Sequence, residues 1–226
     1  MAETIVVSGG GSGIGAAVAR RRAADGRHVT VVGRRREPLE ALAAELGESA
    51  DAIAADVSTE DGAAAGGLSP DADGPGLDAV RADWQASFES NVLTAVLLVE
   101  ALRPALERAG GRVVLLSSVA ALRGSGGRPY GAMKAALHGL VFDLAGSLGE
   151  HGGTANVVAP GFVPETEFWS GRLTDDSRAR RAAQTLVGRE GSPAEVASLI
   201  AWLLGPDGGW VTGQVLSPNG GVVLGR

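Results

Sequence analysis

The single tyrosine and the single lysine of this 226-residue chain stand four residues apart, in Tyr130-Gly-Ala-Met-Lys134. On a helix that spacing brings both side chains to one face. Every other side chain that is cationic throughout the physiological range is Arg. Arg cannot replace Lys where chemistry needs a compact ammonium on a flexible stem. A phenol beside an ammonium is expected to have a lowered pKa, because the cation favours phenolate. That suits a proton donor working near neutral pH. A lone Tyr-x-x-x-Lys pair is as easily a surface accident, so the weight rests on the scarcity of both residue types and on the rest of the chain.

The elements that must carry this pair alternate. Thr4–Ser8 predicts a strand, followed by Gly9-Gly-Gly-Ser-Gly-Ile-Gly15 and a helix closed by Asp25-Gly26. His28–Val32 predicts a second strand, Glu37–Leu46 a helix with Pro38 in its first turn, and Ala52–Ala55 a weak third strand. A long helix is expected from about Asp83 to Glu107, a buried strand over Arg112–Ser117, and a helix over Tyr130–Glu150. The last of these places Leu137, Leu140, Val141, Leu144 and Leu148 at helical spacing. Thr154–Val158 predicts a further strand and Gln214–Ser217 a short final one. Ser192-Pro-Ala-Glu195 reads as a capping box opening a helix to Leu204. This alternation means βαβ units, a parallel sheet and an α/β fold. Residues 57–80 hold no run able to form a strand, and their Gly, Pro and Asp content reads as loop.

Composition removes several chemistries. Cysteine is absent, which excludes disulfides and thiolate catalysis. His28, His138 and His151 are widely spaced, so no metal site is expected, and each reads as a surface or helix-end residue. A net charge of −6 argues against nucleic acid as a partner. No apolar run reaches membrane-spanning length, and Met1-Ala-Glu-Thr lacks the basic start of a signal peptide, so a cytoplasmic protein without membrane partners is expected. The 45% hydrophobic fraction supports one sizeable core, hence a single domain over 1–226.

The strand, glycine cluster and helix at Thr4–Asp25 form a nucleotide cradle. Glycines let backbone approach a pyrophosphate, and the helix N-terminus faces the anion. After the second strand stands Gly33-Arg34-Arg35-Arg36, where an NAD enzyme usually carries an acid. Arginines suit a 2′-phosphate through charge-assisted bonds, which favours NADP(H), with NAD(H) the alternative.

Taken together, Ser8-Gly-Gly-Gly-Ser-Gly-Ile-Gly15, Ser118, Tyr130-x-x-x-Lys134, Asn156-Val-Val-Ala-Pro-Gly161 and Val211-Thr-Gly-Gln-Val-Leu-Ser-Pro-Asn-Gly-Gly221 resemble the short-chain dehydrogenase/reductase family, in its order and over nearly the whole chain. Within that family the chain resembles β-ketoacyl-carrier-protein reductases and related ketoreductases. The resemblance implies a Rossmann-like doubly wound sheet with helices on both faces. It implies hydride transfer between nicotinamide and a small carbonyl or alcohol substrate, free or carrier-bound. It makes Tyr130 the general acid or base, Lys134 the residue that holds the nicotinamide ribose, Ser118 the donor to the substrate carbonyl, and Asn91 the support of a relay water. Ser117 competes with Ser118, and the alignment of Ser118-Val-Ala-Ala-Leu-Arg-Gly with the family's Ser motif favours Ser118. The implied cofactor contacts are Ser8, Gly9, Gly11, Ser12, Gly13, Ile14 and Gly15 in the cradle, then Arg34 and Arg35, then Asp56 and Val57 after the third strand. Tyr130 and Lys134 contribute again, with Pro160, Gly161, Val163 and Thr166 toward the nicotinamide. Residues 162–190 read as a substrate lid. Phe162, Phe168 and Trp169 could line an apolar pocket there. Arg172, Arg178, Arg180 and Arg181 could meet an anionic carrier, or serve only as solvated charges on a surface helix. Homo-oligomers, tetramers or dimers, are implied.

The chain departs from the family in one place. Between Asp56-Val-Ser-Thr-Glu-Asp61 and Ala65-Gly66-Gly67, which resembles the tail of the family's Asn-Asn-Ala-Gly motif, roughly one helix-strand unit is absent. In the family that strand lies beside the first strand, so a gap in the sheet with unpaired backbone groups is expected. An omitted stretch, a deletion that repacks the sheet, and an inactive nucleotide-binding or regulatory protein of the same fold are the readings open.

Overall fold

Strands form where the β-branched, apolar runs lie, and each parallel pair is bridged by a helix. The computed structural model describes residues 4–55, 77–108, 110–124, 127–171 and 173–225. The chain divides into two units, one of residues 1–56, 160–210 and 217–226, the other of residues 57–159 and 211–216.

In the first unit β1 (Thr4–Ser8), β2 (His28–Gly33) and β3 (Ala50–Ala54) form a parallel sheet in the order β1-β2-β3. Val6 lies opposite Thr30, and Val31 opposite Ala52. The central strand is the most apolar, with Val29 and Val31 fully buried, as a strand covered on both faces requires. Helix α1 (Gly13–Ala24) connects β1 to β2, and α2 (Arg36–Leu46) connects β2 to β3 and buries Leu39 and Leu42. Two further helices follow in the later part of the chain, α7 (Asp175–Ala183) and α8 (Pro193–Leu204). Ala16 and Ala19 of α1 and Ala197 and Ala201 of α8 are buried, and side chains this small let α1 and α8 pack closely. The capping box expected at Ser192 is present: Ser192 Oγ accepts from Glu195 N (3.3 Å), and Glu195 Oε2 accepts from Ser192 N (2.9 Å).

In the second unit β4 (Arg112–Leu116), β5 (Thr154–Val158) and β6 (Val215–Leu216) form another parallel sheet, with Leu115 opposite Val157 and Val158 opposite Leu216. Helix α6 (Arg128–Gly149) covers β5 and buries Leu137, Val141, Leu144 and Leu148 in a cluster with Val99, Val113, Leu115 and Val157. Asn156 is fully buried and ties the late segment to β5, donating from Nδ2 to Val211 O (2.7 Å) and accepting at Oδ1 from Gln214 N (3.1 Å). Helix α3 (Leu77–Phe88) runs through a π-helical turn (Glu89–Leu93) into α4 (Thr94–Leu106), and a short α5 (Ala120–Arg123) precedes α6.

The fold is thus α/β with parallel sheets flanked by helices. Two local expectations are corrected. The helix expected from Asp83 begins at Leu77, so residues 77–80 are helix and not loop. That helix is interrupted by the π turn. In the segment expected as a lid, the surface helix left open for the arginines is present as α7, whose start is held by the Thr174 and Ser177 side chains. Ala65-Gly66-Gly67 lies outside the described residues. Among the described residues β1 pairs only with β2 and β4 only with β5, as expected if the chain lacks a helix-strand unit.

Candidate active site

Three consecutive residues at the end of β4 are each hydrogen-bonded to α6. Leu116 O accepts from Lys134 Nζ (2.9 Å). Ser117 Oγ donates to Lys134 O (2.9 Å) and pairs with His138 Nε2 (2.9 Å). The Ser118 hydroxyl is hydrogen-bonded to the Tyr130 hydroxyl, and Ser118 Oγ also accepts from Ala120 N (3.2 Å). Helix α5 closes on α6 because residue 131 is glycine: a Cβ there would stand 3.0 Å from Ala120 O. Pro129 in the first turn of α6 pre-sets the helix that carries Tyr130.

The arrangement separates the two competing serines. Ser118 meets Tyr130, while Ser117 is 4% exposed and turned inward to Lys134 O and His138. His138, expected at the surface, is partly buried and partnered. Its place was legible in one respect: it stands four residues beyond Lys134 and so shares that face of α6.

The Tyr130 acidity differs from expectation in direction. Burial pushes its hydroxyl pKa up, and the Ser118 hydrogen bond only partly opposes this. Lys134 stands with Nζ 5.8 Å from the Tyr130 ring centroid and donates to Leu116 O (2.9 Å). Lys134 in turn is pulled down to about 8 by burial, which disfavours the ammonium. Burial also lowers the His138 pKa, keeping the ring neutral near pH 7.

Asn91 lies in the π-helical turn, and that turn packs against α6. π turns of this kind are frequent at functional sites. The Asn91 amide donates to Ser87 O (2.9 Å) and Ser90 Oγ (3.1 Å), so its side-chain bonds stay within its own helix.

The cradle belongs to the other unit. Gly13, Ile14 and Gly15 form the first turn of α1 beyond Gly9 and Gly11, and Ser8 ends β1. Gly15 is obligatory, because a Cβ there would lie 2.3 Å from Gly9 O. Ser12 makes no side-chain cap and the first turn holds no acid, so the helix presents its first N–H groups without an internal anion. These features fit a dinucleotide pyrophosphate. Thr166 packs within 3.3 Å of the Cβ position of Gly13 and is held by Thr166 N to Pro164 O (2.8 Å). Val163 is buried, and Gly161 N donates to Pro218 O (3.1 Å), which fixes the chain just after Pro160. Arg34 and Arg35 are exposed just past the end of β2. Asp56, Val57 and Arg172 lie outside the described residues. Among the described residues no group of three or more His, Asp or Glu could hold a metal ion, and no helix is long and apolar enough to cross a membrane.

In the segment expected as a lid, Phe162 and Phe168 both meet Trp169 edge-to-face, with centroids at 5.3 and 4.9 Å. The Arg181 guanidinium stacks 4.6 Å from the Trp169 centroid. Arg178 pairs with the half-buried Glu190, and Arg180 with Asp176, both exposed.

The sequence pattern described as Enoyl-(Acyl carrier protein) reductase matches residues 62–223, and that described as short chain dehydrogenase matches residues 3–68. Nodulation protein G of Rhizobium sp. (strain N33) is 34% identical over 97% of this chain and 96% of its own length. Its aligned span of 238 positions exceeds the 226 residues here, so it carries positions this chain lacks. The 3-oxoacyl-[acyl-carrier-protein] reductase FabG of Escherichia coli (strain K12) is 36% identical over 144 residues, covering 63% of this chain and 58% of that protein. Among solved structures, a blue fluorescent protein from a metagenomic library, in complex with NADPH, superposes with a TM-score of 0.85 at 29% identity over 98% of each chain.

Proposed function

We propose that this chain, which belongs to the short-chain dehydrogenase/reductase family and is an oxidoreductase, works as an NADP(H)-dependent ketoreductase on a small carbonyl or alcohol substrate. The observation that carries the reading is the Tyr130–Ser118 hydroxyl pair beside Lys134. Both hydroxyls can donate to one carbonyl oxygen, Ser118 stabilising the charge that develops there and Tyr130 giving up its proton. The chemistry supplied by the bound nicotinamide cofactor is hydride transfer to or from the carbonyl carbon. In reduction the oxygen gains the Tyr130 proton, and the alcohol-oxidising direction reverses that transfer. A raised phenol pKa keeps Tyr130 protonated at neutral pH, the form a reductase needs at the start of a turnover. Lys134 would hold the nicotinamide ribose, and Asn91 would support a relay water near α6.

Exposed Arg34 and Arg35 support recognition of a 2′-phosphate, hence NADP(H) over NAD(H). The solved structure in complex with NADPH, 29% identical to this chain, is consistent with that preference. Residues 162–190 would act as the substrate lid over the aromatic trio, on a substrate free or carrier-bound. The outward faces of Leu97 on α4 and Phe142 on α6, 46% and 57% exposed, support a homo-oligomer, tetramer or dimer.

Tyr130→Phe keeps the ring and removes the proton, so ketone-dependent NADPH oxidation should fall by about a hundredfold or more. Survival at the wild-type rate sinks the mechanism. A second reading, a nucleotide-binding or regulatory protein without turnover, is motivated by β1 and β4 each having one strand partner among the described residues. It requires NADP(H) binding by calorimetry with no turnover across a broad ketone panel.

A further inference from the structure

We propose that Ser117 and His138 are positioning residues that latch the Lys134 turn of α6 to the end of β4. The proposal rests on Lys134 belonging to the reductase machinery described above. Its basis is a chain of bonds that ordinary core packing does not demand. Ser117 Oγ has one hydrogen, and it goes to Lys134 O. The contact with His138 Nε2 at 2.9 Å then requires the ring nitrogen to donate, which assigns the Nε2–H tautomer. His138 therefore orients the Ser117 hydroxyl, the hydroxyl grips the Lys134 backbone, and the Lys134 ammonium returns to Leu116 O one residue away (2.9 Å). The latch closes over a single turn of α6 and two residues, Leu116 at the end of β4 and Ser117 just beyond it. Ser118, the next residue, is thereby held where its hydroxyl meets Tyr130.

Ser117 is 4% exposed, so breaking the latch leaves buried polar groups unpaired, and the lysine turn gains freedom to move toward water. A released ammonium is better solvated, and its pKa returns toward the ordinary lysine value. Lys134 is the single lysine of the chain, so selective side-chain labelling gives one lysine signal by NMR.

The test follows that signal through a pH titration of the ligand-free full chain in four variants. In Ser117→Ala and His138→Leu the lysine midpoint should move up from about 8 toward 10.5. The double variant should match either single one, because both remove the same latch. His138→Gln, whose amide nitrogen can stand where Nε2–H stands, should stay near wild type. In turnover the two disrupting variants should lower kcat by about tenfold with KM for the ketone within about twofold, the pattern of lost alignment rather than lost binding. A lysine midpoint unchanged in Ser117→Ala overturns the latch, as does a His138→Gln midpoint displaced as far as that of His138→Leu. Should the protein prove to lack ketone turnover, the lysine titration still decides the latch, because it needs no substrate.

Discussion

At the scale of single residues, burial outweighs charge in this site. The Tyr130 and Lys134 side chains share one face of α6, as their spacing requires, but proximity did not lower the phenol pKa. Desolvation raises a neutral acid and lowers a cationic one, and both shifts follow that rule. The lysine shift has a stability consequence with a definite sign. Its folded pKa of about 8 lies below the ordinary 10.5, so between those values the unfolded chain binds the proton and the folded chain does not. Lys134 therefore destabilises the ligand-free fold below about pH 8, and that penalty is relieved as pH rises toward 10.5. Urea unfolding should show wild type gaining on the order of 2 kcal/mol relative to Lys134→Met between pH 8 and pH 10. A constant difference across that window would mean that the ammonium is well solvated.

At the scale of elements, local signals were read well where one segment decides its own fate. The β1, β5 and α8 boundaries follow from apolar runs and caps that neighbours do not alter. The Ser192 capping box satisfies N–H groups that α8 cannot bond internally. Ser192→Ala should cost about 1 kcal/mol, and in a chain of this length that lowers Tm by about 2–4 °C. A thermal scan with no change would show that Glu195 alone caps the helix. Other elements were not legible. The π turn around Asn91 depends on packing against α6 and has no composition signature. For α7, rich in charge and burying none of its residues, the sequence offered a surface helix for its arginines but no bounds. The start of α3 at Leu77 was hidden because Gly and Pro just before it extended the loop reading.

At the scale of the whole molecule, the absent helix-strand unit governs what can be expected. In a parallel strand, successive residues point their N–H groups to opposite sides, so a strand with one partner has alternate amides unbonded. Among the described residues β1 and β4 each have one partner, whereas β2 and β5 have two. Amide exchange should then protect alternate residues of β1 and β4 while protecting β2 and β5 throughout; uniform protection of β1 would mean that another segment has taken the missing place. The sequence by itself determined the α/β alternation, the glycine cradle and the Tyr130–Lys134 pair, because each is written in local composition or spacing, while its resemblance to the family pointed to Ser118 and to the absence of one unit. Only the tertiary structure decided that Ser117 turns inward to His138 and that burial drives the Tyr130 and Lys134 pKa values apart. Those outcomes depend on how β4 is packed against α6, and desolvation is a property of the surroundings that no spacing of residues encodes.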